Sequence, residues 1–272
     1  MMAGQYRSVF RGTGIEFEEV REYSPGDEVK SIDWKVSARL GRPFVKLYRE
    51  ERELIVMLLV DMSASGLFGT GTALKREIAA ETAAILAFNA IKNNDKVGVV
   101  LFTDTVEKYI PPKKGSSHVW RVIREIFSFR PDGEETDIPE AMSYFSRVSR
   151  KKSVCFLISD FLSPSLPSHT RLLRIAAKKH EFIAVLLSDP ADFSLPSAGM
   201  LYAQDLETGE RIEFDAFDRK TQDRFRRYQT AQYQRLLDTI KAAEMDCIEM
   251  GTSDDAADVL TRYFRYREMR KR

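Results

Sequence analysis

The strongest constraint on the fold is a set of short apolar runs that each stop at a polar residue. Residues 54–60 read LIVMLLV and are followed by Asp61. Residues 153–159 read SVCFLIS and are followed by Asp160. Runs of this length without polar alternation are typical of strands buried on both faces of a parallel sheet. The chain therefore requires a sheet that helices cover on both sides.

Helical patterns separate these runs. Residues 73–92 are rich in alanine and place apolar side chains at helical spacing. Further helices are predicted over residues 117–129, 137–150, 172–179, 218–244 and 254–272, and further strands over 96–103, 106–110, 182–187 and 247–250. This alternation predicts right-handed βαβ units and a mostly parallel sheet. Because only two or three residues separate the second strand from the third, the third is predicted to run antiparallel at the sheet edge.

The position of a binding site follows from the strand order. In the common doubly wound order 3-2-1-4-5-6, the first and fourth strands are neighbours where the order reverses, and ligands bind beyond their carboxyl ends. Asp61 and Asp160 follow these two strands. We therefore predict a three-layer, doubly wound α/β fold in which both carboxylates face one crevice.

The first 50 residues differ from the rest of the chain. Charged and aromatic residues are interleaved there, with turn signals at residues 24–27 and 40–43, which predicts short strands joined by turns. A stretch of this length cannot bury a core alone. We predict a β-rich arm over residues 1–50, packed on a main domain over residues 51–272. Two alternating runs predict a hairpin insertion near residues 199–215.

Oxygen-bearing side chains cluster after the first strand of the main domain. In residues 61–65 (DMSAS), alternate side chains point the same way if the turn is extended, so one carboxylate and two hydroxyls converge. Thr136 opens the helix that leads into the strand before Asp160. Such oxygens suit a hard cation, with Mg²⁺ favoured and Mn²⁺ or Ca²⁺ as substitutes. The predicted ligands are Asp61, Ser63, Ser65, Thr136 and Asp160.

Each piece of this pattern also has an ordinary structural explanation. Asp-x-Ser-x-Ser arises often by chance, and Ser or Asp after a strand is frequently a helix N-cap or a turn former. Thr136 and Asp137 are both good N-cap residues. The joint placement of three pieces at carboxyl ends of strands in one sheet favours the metal site.

The same residues resemble the metal-ion-dependent adhesion site of von Willebrand factor type A domains. The resemblance implies that the first four predicted residues are direct or near-direct ligands, whereas Asp160 binds the ion through water. An acidic residue of a protein partner would complete the metal shell. The family commonly has Thr-Asp-Gly where this chain has Ser159-Asp160-Phe161, so a bulkier loop is expected. The expected rim residues are Leu67, Phe68, Glu134, Glu135, Phe161 and Leu162.

The arm narrows the resemblance to a bacterial family, domain of unknown function 58. The matching segments are Gly14-x-Glu16-Phe17, Arg21-Glu22-Tyr23, Pro25-Gly26-Asp27, Ile32-Asp33-Trp34, Ala38-Arg39 and Val45-Lys46. Members combine such an arm with a type A-like domain and typically occur alongside MoxR-type AAA+ ATPases. The resemblance therefore implies an accessory or adaptor role with such an ATPase as partner. Within the arm, Trp34 is expected to be buried against the main sheet. Arg21, Asp27, Asp33 and Arg39 are expected to form a paired network around it, with a second binding site as the alternative.

The residues favour binding over catalysis. A cation held by hydroxyls and only two carboxylates keeps positive charge and attracts a carboxylate from another molecule. Residues 69–72 (GTGT) lack the lysine of a phosphate-binding loop, and His118, His169 and His180 fall in or beside predicted helices away from the strand ends. We predict no enzymatic activity; the alternative is a Mg²⁺-dependent hydrolase or phosphatase in which Asp61 attacks.

Charge and hydropathy argue against other partners. Lys and Arg total 42 against 41 for Asp and Glu, so the chain has no overall basic excess that would attract nucleic acid or lipid. The basic run at residues 262–272 is interpreted as the solvated end of a helix, with nucleic-acid binding as the alternative. We find neither a signal-peptide pattern nor an apolar run that would span a bilayer. Cys155 and Cys247 lack metal or redox spacing. A cytoplasmic protein is expected.

Overall fold

The computed structural model describes residues 16–49, 54–163, 166–196, 198–204, 209 and 211–270. These residues divide into two compact units, with the boundary between Leu54 and Ile55. The packing of the predicted arm on the main domain stays a prediction, and each unit is described separately below.

The smaller unit contains one pair of strands and one helix. Strands β1 (Glu16–Glu22) and β2 (Phe44–Arg49) pair antiparallel, and helix α1 (Trp34–Leu40) lies between them in the chain. Asp33 caps α1 by accepting the Lys35 and Val36 amide hydrogens. The prediction of strands joined by turns missed this helix, because its short sequence lacks an apolar periodicity.

The smaller unit itself does not bury Trp34, and its predicted burial against the main sheet stays a prediction. Trp34 is the first residue of α1, and 68% of its surface is exposed. The Arg21–Asp27 pair is present as a bidentate contact at 2.8 and 2.6 Å. Asp33 instead lies 3.4 Å from the Lys46 ammonium. These ionic contacts therefore join the strands, turn and helix of the smaller unit.

The larger unit is built on a six-stranded sheet. The strands of this sheet are β3 (Ile55–Asp61), β4 (Lys96–Phe102), β5 (Val106–Lys113), β6 (Val154–Ser159), β7 (Glu181–Ser188) and β10 (Asp246–Gly251). Two further strands, β8 (Met200–Gln204) and β9 (Arg211–Asp215), form a separate hairpin. The order is β10-β7-β6-β3-β4-β5, and every pair is parallel except β4–β5. The predicted doubly wound order and the antiparallel edge strand are confirmed.

Helices cover both faces of this sheet. They are α2 (Lys75–Lys92), α3 (Ser116–Ser128), α4 (Ile138–Val148), α5 (Thr170–Lys179), α6 (Arg219–Ala242) and α7 (Ala256–Arg270). Apolar residues of α4, α5 and α6 join one core with the sheet, while α2 contacts α3 and α7. Within the described part of the chain, no helix combines the length and the apolar character needed to cross a bilayer.

The edge strand β5 continues three residues beyond its predicted end. It includes Pro111 and Pro112, which an edge strand tolerates because one of its sides has no ladder partner. The register of β4 and β5 shifts around Gly98, where a Cβ atom would lie 2.8 Å from the Ile110 carbonyl oxygen. Glycine therefore permits the close approach of the two strands. The hairpin strands β8 and β9 pair from Met200–Asp215 to Gln204–Arg211, and most of their predicted turn lies outside the described residues.

His180 is a buried packing residue at the end of α5. Its ring centroid lies 4.8 Å from that of Phe145, and neither ring nitrogen has a hydrogen-bond partner among the described residues. Burial, with a smaller contribution from the charge of Lys179, lowers the pKa of His180 to about 4. The unfolded chain, in which this pKa is about 6.5, therefore takes up the proton first as the pH falls. His180 thus destabilises the folded state increasingly from about pH 6.5 down to about pH 4.

We expect His180→Phe to remove this destabilisation, because phenylalanine fills the aromatic site without a titrating group. The free energy of unfolding of the variant, minus that of the wild type, should grow as the pH falls from 7 to 4. The increase should be at most about 1.4 kcal/mol per pH unit. Urea denaturation across this range measures it, with His169→Gln as the control. A difference that stays constant with pH would show that His180 does not resist protonation.

Candidate metal centre

Adjacent strands bring the two predicted carboxylates together at the carboxyl ends of the central strands. Strands β3 and β6 pair in parallel up to Val60 and Ile158, so Asp61 and Asp160 emerge side by side at their carboxyl ends. Only 8% of Asp61 and 7% of Asp160 is exposed. Their placement confirms the geometric step of the sequence argument, in which the strand-order reversal juxtaposes these residues.

Asp61 organises the loop that follows it. Its Oδ1 accepts the Ser63 amide hydrogen at 2.9 Å, and its Oδ2 accepts the Ser159 hydroxyl hydrogen at 2.6 Å. The hydroxyls of Ser63 and Ser65 are buried and lie 3.1 Å apart. From α2, Arg76 donates to the Met62 and Ser63 carbonyl oxygens at 2.6 and 3.3 Å. The loop is therefore held in a turn that gathers one carboxylate and two hydroxyls.

Thr136 joins this cluster from another loop. Its hydroxyl oxygen lies 3.4 and 3.3 Å from the two carboxylate oxygens of Asp61. Asp137, and not Thr136, is the N-cap of α4, because its side chain accepts the Glu140 amide hydrogen at 2.9 Å. The capping explanation therefore accounts for Asp137 and leaves the Thr136 hydroxyl beside Asp61.

A glutamate that the sequence argument missed holds the Thr136 loop. Glu107 accepts hydrogen bonds from the Asp132 and Gly133 amides at 2.9 and 3.0 Å, and from the Thr103 hydroxyl at 2.6 Å. A Cβ atom at Gly133 would lie 2.5 Å from the Thr103 hydroxyl oxygen, so the loop needs glycine there. Only the position of Glu107 at the start of the edge strand could have indicated this role.

Asp160 is engaged on both carboxylate oxygens. Its Oδ1 accepts the Leu162 amide hydrogen at 3.2 Å, and its Oδ2 lies 3.1 Å from the ammonium of Lys75. The same ammonium lies 3.1 Å from Oδ1 of Asp192. Lys75 and Asp192 were not predicted. The available signal was a lysine in the first turn of a helix, where the helix dipole disfavours a cation.

The local charge favours a bound cation. Burial raises the pKa of Asp61 to about 6; the negative charge of Asp160 adds to this, and hydrogen bonds from Ser159 and Ser63 oppose it. No group of three or more His, Cys, Asp or Glu side chains is placed to hold a metal in the described residues. A cation here would therefore depend on hydroxyl ligands. That donor set fits a hard cation that retains water, such as Mg²⁺, better than the nitrogen and sulfur preference of Zn²⁺.

The rim differs from expectation at Phe161. Phe161 is buried in the core, because its backbone adopts the left-handed conformation (φ 58°) and its amide donates to the Ser159 hydroxyl at 2.9 Å. Glycine adopts this conformation without strain. This explains why glycine suits the equivalent position of the Thr-Asp-Gly motif that type A domains commonly have. Phe68 is half-buried, with its ring centroid 5.5 Å from the Lys75 ammonium. Leu67 and Leu162 are 50% and 53% exposed.

Comparison with family models and curated proteins gives consistent matches. The model described as Protein of unknown function DUF58 matches residues 19–235. Uncharacterized protein Mb1516 of Mycobacterium bovis is 32% identical over 263 residues, which cover 96% of this chain and 82% of that protein. Uncharacterized protein Rv1480 of Mycobacterium tuberculosis matches to the same extent.

Two solved structures share the fold. An aerotolerance-related membrane protein from Bacteroides fragilis aligns with a TM-score of 0.54 and 15% identity, covering 80% of this chain and 99% of that one. The conserved hypothetical protein BatB from Bacteroides thetaiotaomicron aligns with a TM-score of 0.51 and 16% identity, covering 79% and 99%. At these identities the likeness concerns the fold alone.

We expect Asp61→Asn to stabilise the protein in the presence of chelator by about 1 kcal/mol at pH 7, because the amide removes a charge that burial and Asp160 disfavour. Since the raised pKa of Asp61 makes the wild type lose stability as the pH rises through about 6, the advantage should shrink towards pH 4.

Urea unfolding in EDTA measures this advantage, with Asp132→Asn on the exposed part of the Thr136 loop as the control. Excess Mg²⁺ should then stabilise the wild type and leave Asp61→Asn unchanged. A variant that is less stable than the wild type in EDTA would contradict the charge argument.

Proposed function

This chain belongs to the family described as Protein of unknown function DUF58, and we propose that it is a divalent-cation-dependent module that binds a protein partner. Its larger unit has the von Willebrand factor type A-like fold that the sequence predicts. The observation that carries the proposal is a hydroxyl cluster at the buried carboxylate of Asp61. The hydroxyls of Ser63 and Thr136 contact this carboxylate, and the Ser65 hydroxyl lies 3.1 Å from that of Ser63.

The proposed ligands act together on one hard cation, with Mg²⁺ as the proposed ion. Asp61 would supply the anionic oxygen, and the three hydroxyls would supply neutral oxygens. Asp160, whose oxygens are held by Leu162 and Lys75, would act through a water molecule. When bound, the cation would offer an open coordination position to a carboxylate of the partner.

The surface around the cluster indicates the chemistry of that partner. Leu67 and Leu162 expose apolar surface beside the site, and Glu134 and Glu135 are exposed on the Thr136 loop. We propose that the partner presents one acidic residue to the cation, with apolar and basic residues flanking it. The basic residues would complement the two glutamates, and the apolar ones would cover the leucines.

The identity of the partner is proposed from the family resemblance of the arm and the site. We propose that the chain is an accessory or adaptor to a MoxR-type AAA+ ATPase in the cytoplasm. This assignment rests on analogy with the family rather than on a contact within the chain.

Catalysis is less well supported than binding. Asp61 is hydrogen bonded to Ser63, Ser159 and Thr136, which restricts its use as a nucleophile. His118 lies against the Val97 carbonyl oxygen at 2.9 Å, and His180 packs on Phe145. The hydrolase alternative would require activity that Asp61→Ala abolishes, so a phosphatase assay on a generic substrate distinguishes it.

We expect Asp61→Ala and Thr136→Ala each to weaken Mg²⁺ binding by about tenfold or more, because each removes one oxygen ligand. Isothermal titration calorimetry measures the affinity, and Asp132→Ala on the same loop is the matched control. Both variants should stay folded, since Thr136 lies in a loop and Asp61 is the last residue of β3. Unchanged Mg²⁺ affinity in both would refute the proposed ligand set.

The partner contact is tested separately with purified proteins. Wild-type chain should retain a MoxR-type AAA+ ATPase on an affinity resin in Mg²⁺, and should lose it in EDTA or on Asp61→Ala. Retention that is indifferent to both changes would exclude a contact through the cation, and no retention in Mg²⁺ would exclude this ATPase as the partner.

A further inference from the structure

Lys75 is an unusual residue in its position. It is the first residue of α2, where the helix dipole disfavours a positive charge, and only 2% of it is exposed. A buried ion pair seldom adds net stability over an apolar substitute of similar size. The stability of the fold alone therefore gives no reason for a lysine here.

The ammonium of Lys75 lies between two carboxylates. It is 3.1 Å from Oδ2 of Asp160 and 3.1 and 3.0 Å from the two oxygens of Asp192. Asp160 is the proposed water-mediated member of the metal centre. Lys75 is therefore linked to the proposed cation site through Asp160, a carboxylate that belongs to that site.

A rigid frame holds Lys75 in place. The Asp192 side chain is fixed, because its Oδ2 also accepts the Asp189 amide hydrogen at 2.7 Å. Asp189 in turn accepts the Thr70 amide and hydroxyl hydrogens at 2.9 and 2.5 Å, and the Thr252 hydroxyl hydrogen at 2.6 Å. The loop before α2 is thus pinned to the ends of β7 and β10, and the ammonium has little freedom to leave Asp160.

The charges of this arrangement determine how a cation would be held. Asp61 and Asp160 together supply two negative charges, and Lys75 places one positive charge against Oδ2 of Asp160. Asp192 adds a third negative charge, which lies against the same ammonium. A divalent ion would therefore remain more positive than in the same site without the Lys75 ammonium. Such an ion binds the protein less tightly, but it attracts an external carboxylate more strongly.

We propose that Lys75 is a specificity-determining residue of the metal centre: it offsets the charge of Asp160, weakens the binding of the cation alone, and makes cation and acidic ligand bind cooperatively. This inference rests on the proposed cation-dependent function and deepens it. Lys75 acts through Asp160 and is a positioning residue, with no direct contact to the ion. The ligand class it selects is a carboxylate, because a more positive ion favours an anionic oxygen over water.

The test uses Mn²⁺ alone and Mn²⁺ with acetate as the probes, with affinities from calorimetry and from the electron paramagnetic resonance signal of free Mn²⁺. We expect Lys75→Met to bind Mn²⁺ at least about tenfold more tightly than the wild type, because a positive charge near the ion is removed. Acetate should raise the Mn²⁺ affinity of the wild type clearly more than that of Lys75→Met. Lys75→Arg keeps the charge and should behave like the wild type.

If Lys75→Met does not fold, Lys75→Gln provides the same test, because its amide can still donate to Asp160 without a positive charge. A folded neutral variant with unchanged or weaker Mn²⁺ affinity would overturn the inference and leave the metal centre intact. If neither the wild type nor the neutral variant binds Mn²⁺, the proposed function fails, and this inference fails with it. Binding by the neutral variant alone would support the inference, since Lys75 would then exclude the ion.

Discussion

The structure depends on how it offsets two carboxylates that are held out of water at the ends of neighbouring strands. Asp61 and Asp160 lie there because β3 and β6 are adjacent and parallel. Desolvation and mutual repulsion oppose the charged forms of such groups. The fold responds with hydroxyl donors around Asp61 and an ammonium at Asp160. The hydroxyls that contact Asp61 are neutral, so a positive charge is still needed beside this carboxylate, and the cation is proposed to bind there.

The surrounding loops hold this arrangement in place. Glu107 fixes the Thr136 loop, Arg76 fixes the serine loop, and Asp189 fixes the segment before α2. Each contact joins a polar group to the backbone or side chain of a separate element. The hydroxyls therefore meet without a need to rearrange, and preorganisation of this kind lowers the ordering cost of binding a ligand.

Much of the fold was predictable because the central strands are buried on both faces. A strand such as β3 is apolar along its length, and its polar successor marks the carboxyl end, so the strand order alone placed Asp61 beside Asp160. The two serines were predicted to converge, but the extended turn assumed for residues 61–65 is wrong. Ala64–Leu67 form a 3-10 helix, which still leaves the Ser63 and Ser65 hydroxyl oxygens 3.1 Å apart. Helix α1 was not predictable in this way, because a short capped helix has no long-range pattern.

The residues that the sequence argument missed act through tertiary contacts. Lys75 and Asp192 are 117 positions apart, and no local sequence pattern predicts that their side chains meet beside Asp160. The left-handed backbone at Phe161 could not be predicted from a phenylalanine, because this conformation is one that glycine favours. The oxygen chemistry of the proposed metal ligands could therefore be inferred from residue types. The positive charge of Lys75 beside Asp160 could be found only from the three-dimensional structure.

A crystal of the protein grown with Mn²⁺ provides the most direct measurement, through the anomalous difference map. The proposed site predicts one peak in direct contact, at about 2.1 to 2.2 Å, with oxygens of Asp61, Ser63, Ser65 and Thr136. Asp160 should be separated from the ion by one water and should keep its contact with Lys75. No peak at this cluster under saturating Mn²⁺, or a peak coordinated elsewhere, would contradict the central claim.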